Sequence, residues 1–246
     1  MRVLTILSLL LAACLGAGIG ACTGARPATP TATPTAPLPP LVVASDLDNL
    51  PFAGVDANGR AIGRDVEMME RLAAGLGREV EWRRMPFDEL LPAVERAEVD
   101  VVCATLGITA ERARRVLFSE PYFDTSITVV VRLGPGEPTS LADLTGRRVA
   151  AGAGTTSEGA LRAHLPGAVG VFENKQQAAT ADRLYGGEVD GAVMDAPAAD
   201  ALVAASGGRL GRLVPDLERE RYALALPPGR SELKAQLDRE LARLGP

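Results

Sequence analysis

Two apolar patterns alternate along the chain after residue 40. Short valine- and alanine-rich runs such as "LVVAS" (41–45) carry no polar face, which fits strands buried on both sides. Between them lie longer segments whose apolar residues return every three to four positions. The spacing predicts a helix from about Arg64, with Val66, Met69, Leu72, Ala73 and Leu76 on one face and Gly77 as its stop. "EVEWRRM" alternates as a strand, and "PFDELLPAVERAE" reads as a helix with an internal Pro92. "VDVVCATL" reads as a strand, "TAERARRVL" as a short helix and "TSITVVVR" as a long apolar strand.

The order then repeats. "LADLTGRRVAAGAG" ends in a strand, "TTSEGALRAHL" is a helix, "GVFEN" a strand, "KQQAATADRLYGG" a helix and "VDGAVMD" a strand. "APAADALVAAS" is a helix, "YALALPP" (222–228) a late strand and "SELKAQLDRELARL" a final helix. Such alternation implies α/β architecture with mostly parallel sheets. A weak internal echo, "AEVDVVCATL" (97–106) against "GEVDGAVMDA" (187–196), divides the chain into two similar lobes. The expected division is 41–128 plus 224–246 for the first lobe and 129–223 for the second, linked by the strands at 126–132 and 222–228.

Composition narrows the function. The 246 residues are 47% apolar and 23% charged, with a net charge of −5 and Lys and Arg spread along the chain. That balance argues against a nucleic-acid partner. One histidine and three cysteines leave no material for a His- or Cys-rich metal site, and no cofactor is expected. His164 sits in "LRAHLPG", a helix end before a turn, and reads as a surface residue. Cys103 lies among apolar neighbours and reads as a small buried hydrophobe.

The first 22 residues, with one positive charge, an apolar core and small residues at the end, read as a secretory signal. "LAAC" ending at Cys14 and "IGAC" ending at Cys22 resemble the bacterial lipoprotein processing motif. The resemblance implies a lipid on Cys22, since cleavage before Cys14 leaves a short signal. The Pro/Thr/Ala-rich stretch 23–40 builds no core; extended at about 3.1 Å per residue, it reaches roughly 50 Å as a tether.

Three places carry candidate chemistry. Arg112 falls in the first turn of the short helix predicted after "VDVVCATLGIT", where a cation opposes the helix dipole. It either points into water or holds an anion; a planar guanidinium suits a carboxylate, with Thr105 and Gly107 as nearby donors. In "AGAGTTSEGAL", Thr155 and Glu158 make a capping box, and the helix end behind them suits an anion. Gly152 and Gly154 start a dinucleotide fingerprint that Ser157 breaks. Asp195 closes the strand "VDGAVMD", either as a helix N-cap before Ala196-Pro197 or as a carboxylate at the usual ligand crevice.

The segments "ASDLDNLPFAGVDANGRAIGRDVEMMERLA", "FDELLPAVERAEVDVVCATLGITAERARRVLFSEPYFDTS", "LADLTGRRVAAGAGTTSEGAL" and "GEVDGAVMD" resemble, in order, the type II periplasmic solute-binding proteins of the amino-acid-binding branch, family 3. These serve ATP-driven importers. The resemblance covers about 41–245. It implies two α/β lobes joined by two hinge strands, closing on an amino acid as a monomer that docks on importer permease subunits. It places Arg112 on the ligand carboxylate, Thr156 and Ser157 as a second contact there, and Asp195 on the α-ammonium. Phe87 becomes an aromatic wall or plain core, and Asp46 addresses a polar or cationic side chain or caps the following loop. Asn49 stands where the family usually has an aromatic residue, and Gly107 where it has Ser or Thr. Relatives also continue past "ELARLGP" into a further short helix. Two alternatives accompany this expectation: a cyclohexadienyl-dehydratase-like enzyme with Glu173 and Lys175 in its cleft, and a sensor or scaffold lipoprotein with a degenerate site.

Overall fold

The computed structural model describes residues 38–173 and 177–245. The signal segment with Cys14 and Cys22, the linker up to residue 37, Lys175 and the side chain of Glu173 lie outside the described residues.

The chain builds a first sheet from β1 (Leu41–Ser45), passes through a hairpin of β2 (Gly54–Val55) and β3 (Ala61–Ile62), and enters α1 (Arg64–Gly75). β4 (Val80–Arg84), α2 (Phe87–Glu95), β5 (Val101–Val102) and β6 (Leu117–Phe118) follow. The second sheet starts with β7 (Phe123–Arg132) and continues through β8 (Arg148–Gly152), α3 (Thr156–His164), β9 (Val169–Glu173), α4 (Gln177–Gly186), β10 (Gly191–Asp195), α5 (Ala196–Ala205), β11 (Leu210–Arg212) and β12 (Glu218–Tyr222). β13 (Ala225–Leu226) returns to the first sheet, and α6 (Ser231–Leu244) packs against it. The strand orders are β4-β1-β5-β13-β6 and β11-β7-β10-β8-β9, with β12 on the other side of β7. Both sheets mix parallel and antiparallel pairs. The chain therefore crosses between them twice, after β6 and after β12.

Both sheets are covered on both faces, which explains the apolar strands. Leu41 and Val43 face Met69 and Leu72 of α1 and Leu237 of α6, while Ala44 faces Leu90 and Val94 of α2. In the second sheet Val129 and Val131 face Ala160 and Leu161 of α3, and Val130 faces Leu184 of α4 and Ala199 of α5. Gly77, at φ +68, ends α1 as expected. Cys103 is fully buried in the first core, and burial pushes its thiol well above the usual range.

Three expectations are corrected. The strand predicted over "VDVVCATL" pairs with β1 only at Val101 and Val102, because the backbone turns left-handed at Thr105 (φ +48). "TAERARRVL" forms a single 3-10 turn, Arg112–Arg114, rather than a helix. A turn this short has little dipole to oppose an arginine. The late strand splits in two: β12 belongs to the second sheet and β13 to the first, so the "YALALPP" run spans a crossing rather than one strand.

The internal echo has a structural basis. α2 ends in a left-handed residue, Ala97 (φ +56), and α4 in Gly187 (φ +72); Glu98 and Glu188 then bond back to the carbonyls of Ala93 and Arg183. Asp100 accepts the N–H of Val42 at 3.1 Å, and Asp190 that of Arg148 at 3.0 Å. Their own N–H groups return to the carbonyls of the same two residues. Each Glu-Val-Asp thus pins a new strand to its parallel neighbour, β5 to β1 and β10 to β8.

Candidate functional site

Arg112 is held by the turn that replaces the predicted helix. Its N–H donates to Thr109 Oγ1 at 3.1 Å, and the N–H groups of Arg115 and Val116 bond to its carbonyl. The side chain is only 7% exposed. Nη1 donates to the Gly107 carbonyl at 2.8 Å and Nη2 to the Gly154 carbonyl at 3.1 Å. Gly107 follows β5 and Gly154 follows β8, so one guanidinium bonds both lobes. The guanidinium carbon lies 5.8 Å from the Phe87 ring centre, within cation–π range. Burial pulls its affinity for protons down, and the carboxylates of Glu220, Glu111 and Asp195 oppose that pull. Two of the five donors of the fork go to the carbonyls, which leaves donors for an anion.

Across the cleft, Thr155 caps α3. Its hydroxyl donates to the Gly152 carbonyl at 2.7 Å and accepts the Glu158 N–H at 3.4 Å. The capping box expected here is one-sided. Glu158 reaches past the cap residue to the N–H of Gly154 at 2.8 Å, a position that Gly154 offers through its left-handed backbone (φ +71). That bond holds the Glu158 carboxyl below its ordinary range. The N–H groups of Thr156 and Ser157, in the first turn, find no carbonyl within the helix.

Asp195 starts α5 as its N-cap residue but makes no side-chain capping bond. Its Oδ2 instead accepts the hydroxyl of Tyr222 at 2.7 Å. Tyr222 is fully buried on β12; burial and the Asp195 charge push its hydroxyl above the usual range. The strand is fixed against the first lobe: Gly107 bridges Tyr222, with Ile108 N–H on the Arg221 carbonyl and Ala223 N–H on that of Leu106. Two residues earlier on the same face, buried Glu220 accepts from Thr156 Oγ1.

One cavity brings Phe87, Thr105, Gly107, Arg112, Thr156, Ser157 and Asp195 together, joined by Thr180 and Met194. Asp46 and Asn49 are buried outside this lining. Asn49 pairs its backbone with Ala53 and donates from Nδ2 to Thr105 Oγ1 at 2.6 Å, so it supports the wall from behind. The Asp46 carbonyl accepts from Arg84 Nε. Sequence reasoning missed Glu220, Tyr222 and Thr180. The alternation in "ERERY" puts Glu220 and Tyr222 on one face, but the charged run reads as solvated. Among the described residues no group of His, Cys, Asp and Glu is arranged to hold a metal.

Comparison with known proteins gives a family model, bacterial extracellular solute-binding proteins, family 3, that matches residues 41–245. The putative ABC transporter arginine-binding protein 2 of Escherichia coli K12 is 32% identical over 152 residues, 62% of this chain. The matched stretch spans only 61% of that relative's length. The holo arginine-binding protein of T. maritima superposes with a TM-score of 0.76 at 32% identity, over 83% of this chain and 89% of that one. The ancestral amino acid-binding protein AncCDT-1, a precursor of cyclohexadienyl dehydratase, gives 0.76 at 29% identity, over 83% and 88%.

Proposed function

Since the chain belongs to family 3 of the bacterial extracellular solute-binding proteins, we propose that it captures a basic L-amino acid, arginine first among them, and delivers it to an ABC importer. The observation that carries this reading is the pairing of opposite charges in one cavity between the lobes. Arg112, Thr156 and Ser157 of the first turn of α3, and Asp195 all line it. A zwitterion has the complementary pair, so its carboxylate goes to Arg112 and its α-ammonium to Asp195. Contacts from both lobes favour the closed form, and binding is a population shift toward it. Arginine takes precedence because the E. coli and T. maritima relatives are arginine-binding proteins.

The N-terminal sequence adds a mode of attachment. Lipid on Cys22 and the Pro/Thr-rich stretch after it hold the binding domain near the outer face of the cytoplasmic membrane, within reach of the importer's permease subunits. AncCDT-1, a relative tied to an enzyme lineage, is itself an amino acid-binding protein, which supports binding over turnover.

Calorimetry with L-arginine tests the assignment. Arg112→Ala should abolish detectable heat of binding while the folded baseline persists. An affinity equal to that of the unaltered protein would remove Arg112, and the carboxylate end with it, from the site.

A further inference from the structure

Glu220 is a buried acid that the zwitterion reading leaves without a task. It is 7% exposed. Oε1 accepts from Thr156 Oγ1, and the buried Oε2 has no hydrogen-bond partner among the described residues. A second carboxylate, Asp195, is held beside the same strand face: its Oδ2 accepts at 2.7 Å from Tyr222, two residues along β12 from Glu220. Two carboxylates buried side by side repel unless a hydrogen lies between them.

The position is built rather than incidental. A side chain at residue 107 would put its Cβ 2.0 Å from Glu220 Oε1 and 2.9 Å from Thr156 Cγ2. Only glycine leaves room for this carboxylate, at the place where a hydroxyl was expected from sequence. The groups facing Glu220 are few. Arg112 comes from the 3-10 turn, Asp195 from β10, Thr156 from α3, and Tyr222 from its own strand with its hydroxyl on Asp195. On the neighbouring β7 the residue opposite is the uncharged Thr125. One cation thus faces two carboxylates while its hydrogen bonds go to the carbonyls of Gly107 and Gly154.

The geometry points to an acid pair in which Glu220 carries one proton, shared as a hydrogen bond with the Asp195 carboxylate in the ligand-free protein, and releases it when a ligand ammonium takes its place. Glu220 is then a positioning residue that links capture to pH. Burial first, and the Asp195 charge second, raise its carboxyl to about 8, which agrees with a proton held at neutral pH. An arriving ammonium stabilises the second negative charge, and the proton leaves to solvent. The inference rests on Asp195 being the ammonium partner.

Two measurements on the full chain test it. The infrared difference spectrum between the protein and Glu220→Gln at pH 6 should show one protonated carboxylic-acid carbonyl band that disappears by pH 10. Calorimetry with L-arginine at pH 6.5 in two buffers of different ionisation heat should show about one proton released, and its Kd should rise about tenfold per pH unit below pH 8. Both the release and the slope vanish in Glu220→Gln. Gly107→Ala, which forces the carboxylate away, should remove the band as well and guards against a folding artefact in the first variant. Absence of the acid band overturns the shared proton. Arginine binding with no proton release overturns its coupling to capture. If no amino acid binds the unaltered protein, the binding assignment fails and the coupling with it, while the infrared band still decides the shared proton.

Discussion

Tyr222 shows how much one hydroxyl fixes. It is fully buried, reaches Asp195 at 2.7 Å, and makes a stacked pair with Phe123 and an edge contact with Phe52. Removing the oxygen leaves the ring contacts in place and takes away one donor to a carboxylate. Tyr222→Phe should therefore fold normally, lose about 1–2 kcal/mol in urea denaturation, and weaken arginine binding roughly tenfold in calorimetry. An unchanged affinity would detach Asp195 from ligand contact. Thr105 is the opposite case, a β-branched residue in the left-handed region, where such residues are outliers. Its hydroxyl donates to the Ala104 carbonyl and accepts from Asn49, and its N–H reaches Asp65 Oδ2 at 3.3 Å. Those bonds offset the backbone cost. Little of this was legible in sequence. Asp195 stands out as a charge closing an apolar run, and Arg112 shares its segment with Glu111, Arg114 and Arg115 and is marked only by its place in the motif. Glu220 is buried against a glycine 113 positions earlier in the chain, and no local pattern connects the two.

At the scale of elements, the helix–turn–Glu-Val-Asp–strand unit occurs once per lobe. The left-handed residue at each helix end is where the two copies differ, Ala97 in one and Gly187 in the other. A Cβ in that conformation is unfavourable, whereas glycine takes it freely at a small entropic cost in the unfolded chain. Ala97→Gly should leave stability unchanged or raise it by up to about 1 kcal/mol, and Gly187→Ala should lower it by about 1 kcal/mol, both read from urea midpoints. Equal effects of the two would mean that the helix ends are not equivalent in strain. Helices and the long strands were legible because burial on one or both faces writes a period into the sequence. β6 and the hairpin of β2 and β3 were not, since two residues carry no period, and the short β5 and β13 showed only as parts of longer predicted runs.

At the scale of the whole molecule, Arg112 and the 106–108 segment tie the lobes together. Proton binding at Glu220 makes that arrangement pH-dependent. Below its ordinary value of 4.5 the carboxyl is protonated folded or unfolded, and stability is unaffected. Between 4.5 and about 8 only the folded protein keeps the proton, so unfolding releases it and stability falls as pH rises. Above that range both states are ionised and the decline ends. The urea midpoint should accordingly drop between pH 5 and 8, with a flatter profile in Glu220→Gln; identical profiles would place the charge elsewhere. Added arginine should offset the drop at pH 8, because a ligand that binds only the folded protein stabilises it by mass action.

Cys103 has a practical meaning beyond packing. It is the one cysteine after residue 22, it is fully buried, and its thiol resists ionisation. Thiolate-selective dyes should pass it by. A cysteine placed at Val214, which is 80% exposed, becomes the reactive handle of the folded domain. A fluorophore there reports on the second lobe against a silent background, so a domain beginning after Cys22 needs no native thiol removed before it is labelled.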